Sequence, residues 1–354
     1  MKPVKSILNH LFIDGLSAMA QGLFATLIIG TIIQQIGLFV GGSLGTLLVT
    51  VGKVAASMTG AGIGVAVATK FGHPPLVTVS AGVAGLIGAF AGSVVSGGVL
   101  GEGAMVYAGP GEPLGAFIAA YVSILVGGII SGKTKFDIVL TPIVTIGSGS
   151  AVGLLIGPSI SKFMAFIGSL VNWGTEQQPF LMGIVVSVLM GMILTLPISS
   201  AAVGIILNLS GLAAGAATVG CCCNMIGFAV ASFRENKFGG LLAQGIGTSM
   251  LQVPNIVRKP IIWLPAIISS AVLGPVGTML FKITSNATGS GMGTAGLVGP
   301  IMAYQTMIAG EPGTVVLIKI VVLLFLLPAV VTLAVSEGMR KLNLIKPGDM
   351  KLDL

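Results

Sequence analysis

Apolar residues fill most of this chain in long blocks, separated by short breaks that carry glycine, proline or charge. A helix needs about 20 such residues to cross the roughly 30 Å hydrocarbon core of a bilayer. The blocks lie at 14–39, 44–69, 76–99, 114–132, 137–157, 158–173, 180–207, 211–232, 261–283 and 314–336. They predict an all-α, polytopic membrane helix bundle with about ten transmembrane helices. Two stretches depart from the pattern. Gly239–Pro260, GGLLAQGIGTSMLQVPNIVRKP, sets Gln244, Thr248, Ser249, Gln252 and Asn255 among glycines and a proline. It is too apolar for a water-exposed loop and too interrupted for a lipid-facing helix. The glycine-rich run 289–310 has the same texture. Non-helical backbone survives at membrane depth only where protein buries it or where it lines a watery cavity. Segments 240–256 and 289–310 are therefore read as two re-entrant hairpins bordering a small-molecule pathway. One integral membrane domain then covers 1–354, with N-terminal helices over 1–157, helices and both hairpins over 158–336, and a polar tail at 337–354.

Composition fits that reading. The chain is 54% hydrophobic and 8% charged, against roughly 25% charged in soluble domains, which excludes a water-soluble globular protein. Its 54 glycines suit helices that gain little from apolar burial in lipid and must approach closely to cohere. The net charge of +7 is scattered in single or paired basic residues, with no nucleic-acid motif. Lys2, Lys5, Lys70, Lys133, Lys135, Arg234, Lys237, Arg258, Lys259, Arg340, Lys341 and Lys346 mark cytoplasmic loops by the positive-inside rule. Ten crossings place all of them, and both termini, inside, with Glu102, Glu112 and Glu311 towards the outer side. The weak span is 158–173, which carries Lys162; if it lies in the interface, every later loop flips. The opening MKPVKSILNHLFIDG shows no short apolar core with a cleavage site, so it is read as part of a retained first helix.

The candidate chemistry is neutral. Gln244, Thr248, Gln252 and Asn255 recur at spacings that would share one helix face, and amides with hydroxyls match a hydroxylated ligand because both donate and accept. They equally suit the repair of backbone groups freed in a broken helix, and both readings stand. Glu112 and Glu311 each precede a proline at the start of an apolar run. A carboxylate there caps a helix N-terminus, or serves a ligand if it lies at membrane depth. The YAGPGEP of 107–113 and YQTMIAGEP of 304–312 echo one another and bring Gln305 beside the second acid. Thr195 and Ser199 flank Pro197 in TLPISS, where hydroxyls can patch carbonyls freed by the proline. Cys221, Cys222 and Cys223 are adjacent, so they point around a helix in different directions and are read as small buried packing groups, not a metal site. His10 and His73 are the only histidines. No catalytic residue, metal site, cofactor or ATP-binding loop is expected.

Several blocks resemble one bacterial family: QGLFATLIIGTIIQQIG (21–37), LVNWGTEQQPFLMGIVVSVLMGMILTLPISSAAVGI (170–205), LSGLAAGAATVGCCCNMIGFAVASFRENKFGGLLAQGIGTSMLQVPNI (209–256), KPIIWLPAIISSAVLGPVGT (259–278) and GSGMGTAGLVGP (289–300). These are similar to PfoR-type, PTS EIIC-like membrane proteins, grouped with the sugar-translocating IIC subunits of the phosphotransferase system. The resemblance implies a homodimer in the bacterial plasma membrane, with re-entrant hairpins at a midplane sugar site. It also implies separate IIB and IIA partners that carry the phosphoryl group. Sugar IIC proteins place a glutamate and a histidine near the sugar; Glu311 stands for the glutamate here, and the second half of the chain contains no histidine. Three functions follow: carriage of a sugar or similar small polar solute, solute sensing by a degenerate IIC fold that signals to a partner, or service as the membrane subunit of a sugar phosphotransferase system with separate IIB and IIA partners.

Overall fold

The chain is all-helical, as its apolar blocks require, but several blocks are broken where glycine and proline fall. The computed structural model describes residues 14–97, 100–101, 104–105, 109–175 and 177–352; Lys2, Lys5, His10, Glu102 and Tyr107 lie outside these. Two compact units divide at residue 164, within one long helix.

The first unit holds α1 (Leu16–Val40), α2 (Gly42–Ser57), α3 (Thr59–Lys70), α4 (Pro75–Ala89), α5 (Ala91–Val95), α6 (Pro113–Ile130) and the start of α7 (Asp137–Thr175). A two-residue antiparallel pairing, 100–101 with 104–105, lies between α5 and α6. α2 and α3 bend by 52° at their junction and together pass as one span. α1 lies along α2, with Gly30 against Gly52 and Gly37 against Gly45, the close backbone approach that small residues permit.

Every expected span has its own helix or helix pair except 158–173. That stretch continues 137–157 without a turn in the 39-residue α7. Residues 158–173 therefore form no helix of their own, and the count of about ten is corrected at this point. Among the described residues six helices are long and apolar enough to cross, seven with the bent pair, while Pro75–Ala89 and Pro179–Thr195 are shorter.

The second unit continues with α8 (Pro179–Thr195), α9 (Ser200–Ile206), α10 (Gly211–Ala231), α11 (Phe233–Leu242), α12 (Val253–Arg258), α13 (Pro260–Phe281), α14 (Ala287–Ser290), α15 (Val298–Met307) and α16 (Gly313–Lys341). α10 is the central helix, 83% buried over its apolar window and packed against α8, α13 and α16. Its backbone at Gly220 rests directly on Ser187 of α8, and any larger residue would force the two helices apart. Two apolar cores form around it. One joins Val219, Cys222 and Cys223 to Leu273, Leu323 and Leu324. The other joins Phe228 and Ala231 to Ile262, Trp263, Ile345 and Met350. Asn224 lies between them in sequence, and that position is polar and fully buried.

Candidate functional site

Contacts along α8 climb together with those along α10: Ser187 meets Gly220, the Cys221 thiol donates to the Met190 carbonyl at 3.5 Å, and Thr195 meets Asn224. The two helices are therefore parallel, so 196–210 must carry the chain back to the end from which α8 started. α9 does this beside α14, with Ser200 Oγ donating to Gly291 O at 2.6 Å and Gly204 against Ser290. Residues 179–210 thus form a hairpin. Sequence reading took 180–207 as one span with a kink; the kink is the turning point.

A second hairpin leaves the opposite end of α10 and returns to it. After α11 the backbone makes a π-turn over Ala243–Gly247, becomes extended at Thr248 (φ −158°, ψ 139°), and re-coils as a 3₁₀ turn over Ser249–Gln252 before α12. The break at Thr248 overturns the single helix face expected for Gln244, Thr248, Gln252 and Asn255. A third hairpin, 282–312, starts from the end where Ser285 pairs with Gly211. Its turn packs Gly293 against Cys221, and the Thr294 hydroxyl meets Met225 Sδ at 3.5 Å. The third turn holds left-handed backbone at Gly293 (φ 51°), Gly296 (φ 52°) and Leu297 (φ 61°). Such backbone costs a residue with a Cβ about 1–2 kcal/mol, and strain of this kind concentrates at functional sites.

The three turns converge on residues 221–225 of α10. Thr195 of the first lies 2.8 Å from Ser249 Oγ of the second; Ala243–Gly247 of the second packs on Ala295–Leu297 of the third. Asn224 ties the group together. Its Oδ1 accepts from the Trp263 indole N–H at 2.9 Å and from Thr195 at 3.1 Å, and its Nδ2 donates to Ser270 Oγ at 3.3 Å and Gly220 O at 3.1 Å. Thr218, Ser290 and Thr294 are also fully buried around these turns, and Ser285 Oγ is buried without a hydrogen-bond partner. All of these groups are neutral. They can hold a hydroxylated molecule by paired donors and acceptors, and none is a nucleophile activated by a neighbouring base.

The predicted site residues divide among different places. Thr195 and Ser249 belong to the convergent cluster, and Ser199 is buried beside Ser200 at the first turn. The Thr248 hydroxyl accepts from Met250 N at 3.1 Å and caps the 3₁₀ turn. Gln244, Gln252 and Asn255 do converge, but on the tail. Gln252 Nε2 donates to Gln244 Oε1 at 2.9 Å and to Met350 O at 3.0 Å; Asn255 Nδ2 donates to Gln252 Oε1 at 2.9 Å and to Lys351 O at 2.8 Å. Glu311 is paired with Lys319 at 2.7 Å, both partly exposed, and Gln305 is exposed on α15. Glu112 belongs to the first unit, at the N-cap of α6, its backbone N–H donating to Ala89 O at 2.8 Å. The three cysteines are free and fully buried. Sequence reading missed Asn224, Trp263 and Ser270.

No curated protein matches this sequence. The family model described as Phosphotransferase system, EIIC matches residues 13–352, across both units and all three hairpins. The chain therefore belongs to the phosphotransferase system EIIC family, as a permease-type membrane component.

Proposed function

We propose that this component carries a sugar or similar small neutral polyol across the bacterial plasma membrane, binding it where the three hairpin turns meet. The observation that carries the reading is the concentration of uncharged donors and acceptors at that point: Thr195, Ser199, Ser249 and Thr294 at the broken turns, around Asn224 of α10.

The basic residues support a specific topology. If 179–210 is re-entrant and does not cross, the two expected crossings 158–173 and 180–207 are lost together. The positive-inside reading then survives with eight crossings: Arg234, Lys237, Arg258, Lys259 and Arg340 stay cytoplasmic, as do both termini. Ion pairs Arg234–Glu337 (2.9 Å), Arg340–Glu235 (2.9 Å) and Lys259–Asp349 gather these groups at one end of the second unit, as a shared side requires. The component works with separate IIA and IIB proteins and as a homodimer.

A second reading, a membrane-embedded solute sensor, is favoured by the direct Thr195–Ser249 bond, which joins two turns with nothing between them. Uptake into proteoliposomes, with a panel of sugars and with or without a phosphoryl donor and its IIA and IIB proteins, separates the two. Saturable uptake that Ser249→Ala and Thr195→Val reduce supports carriage. Saturable binding without flux supports the sensor. Neither binding nor flux for any neutral polyol refutes both.

A further inference from the structure

Residues 342–352, which follow α16, fold back over the second hairpin and are held there by side chains, not by regular secondary structure. Met350 O accepts from Gln252 Nε2 at 3.0 Å and from Asn236 Nδ2 at 2.8 Å, Lys351 O accepts from Asn255 Nδ2 at 2.8 Å, and Leu352 N donates to Asn236 Oδ1 at 2.8 Å. Lys259 pairs with Asp349, and Gly348 N donates to Glu235 Oε1 at 3.4 Å. Ile345 (1% exposed) and Met350 (0% exposed) are buried in the core that contains Trp263 and Ile262. Gln252 has no exposure and Asn255 has 5%. The segment therefore supplies the acceptors for amide donors that its own packing keeps from water, and buried donors without acceptors are costly.

Trp263 faces both structures. Its ring belongs to the core that seats Ile345 and Met350, and its indole N–H bonds Asn224, the hub of the buried polar cluster. Ser249, which joins that cluster through Thr195, lies on the hairpin that Gln252 and Asn255 strap to the tail.

We propose that residues 342–352 are a strap that locks the hairpin 243–258 and, through Trp263, the polar cluster at its tip. Release of the strap unlocks the hairpin. Its role in gating a solute rests on the proposed carrier reading; the strap itself does not, and is tested without any solute.

The test is hydrogen exchange and tryptophan emission on the full chain in lipid nanodiscs, with Trp173→Phe so that Trp263 alone reports. In the parent, backbone amides of 348–352 should exchange at least tenfold more slowly than unprotected amides. In Asn236→Ala/Asn255→Ala they should lose that protection, exchange over 249–255 should rise, and Trp263 emission should shift to the red, while α6 of the first unit is unchanged. Asp349→Asn keeps the packing and provides a milder variant if the double variant misfolds; it should move the same signals in the same direction. Unprotected tail amides in the parent overturn the proposal. So does a tail that stays protected in both variants, or one that is freed while 249–255 and Trp263 do not respond. If the strap behaves as expected but no neutral polyol is bound or carried, the carrier reading fails and the strap stands.

Discussion

Replacing Asn224 by alanine isolates the contribution of the polar hub. The side chain makes three bonds to other elements, to Thr195, Trp263 and Ser270, besides the local one to Gly220 O. Hydrogen bonds between helices in a bilayer contribute about 0.6 kcal/mol each on average and about 1.7 at most. Three therefore give about 2 kcal/mol, with about 5 as the upper limit. The cost should be unequally shared. Thr195 keeps Ser249 and Gly191 O as partners, and Ser270 keeps Ala266 O at 2.9 Å. Among the described residues the Trp263 N–H has no other acceptor, so most of the loss should fall on that pair. Stability is read by reversible unfolding in mixed micelles for the parent, Asn224→Ala, Trp263→Phe and the double variant. The expected coupling between the two sites is about 1 kcal/mol, because phenylalanine removes the donor that alanine would strand. If Asn224→Ala unfolds within about 0.5 kcal/mol of the parent, as an ordinary surface change does, the hub is not holding these helices together and the reasoning is refuted.

Gly220→Ala should destabilise by about 1–3 kcal/mol, since a Cβ would sit on the Ser187 backbone. Gly338→Ala, where nothing lies within 4 Å, should stabilise by about 0.4–1 kcal/mol; equal effects in thermal melts would sink the packing argument. Glu311→Gln should leave solute binding within twofold of the parent, because its carboxylate already pairs with Lys319; loss of binding in a titration would return Glu311 to the site. In the strap, burial pushes the Asp349 carboxyl up, but the hydrogen bonds and charges of Lys259 and Lys346 outweigh this and hold it below its ordinary 3.8. A depressed carboxyl contributes stability that is complete above the unfolded value and is lost as pH falls through the folded one. Trp263 emission should therefore be flat from neutral pH down to about 4 and change only below that; a shift between pH 7 and 5 would show that another group titrates. With Cys221, Cys222 and Cys223 replaced by alanine, cysteines at Gln178 and Ser210 should react with an impermeant thiol reagent from one side of the membrane. Those at Lys237 and Arg258 should react from the other, and labelling of 178 and 210 from opposite sides would mean that α8 crosses.

The membrane class and most helices were legible because hydropathy over about twenty residues is a strong signal. The hairpin 179–210 was not. Its two arms are as apolar as a crossing, and a hydropathy window adds them without registering that the chain turns at Leu196–Ser199. Only the pairing of Ser187, Met190 and Thr195 with Gly220, Cys221 and Asn224 reveals the direction. Gln244, Gln252 and Asn255 were legible as a group but not as to partner, because main-chain carbonyls of Met350 and Lys351 leave no mark in a sequence. Asn224 did carry a signal: it is an amide inside an otherwise apolar helix, where a polar residue needs a partner. It was overshadowed by the three cysteines before it.

The hairpins also explain why the cluster contains no charge. Backbone broken at membrane depth already exposes carbonyls and N–H groups that need partners. Hydroxyls and amides supply them at Ser200–Gly291, Thr218–Gly289 and Asn286–Gly289, at 2.6, 3.3 and 3.0 Å. A carboxylate in the same place would add the cost of burying an ion without satisfying an acceptor. The described acids of the second unit are instead paired outside the cluster, at Glu235–Arg340, Glu337–Arg234, Asp349–Lys259 and Glu311–Lys319. The turns are thus joined to α10 by neutral bonds, which on the proposed carrier reading exchange for bonds to a solute at little electrostatic cost. Of the ion pairs, Asp349–Lys259 joins the strap itself, while Glu235–Arg340 and Glu337–Arg234 join α11 to α16. Motion in this unit should begin at the turns and be limited by the strap, so that the chain from Gln252 through Met350 to Trp263 sets how far the second hairpin opens.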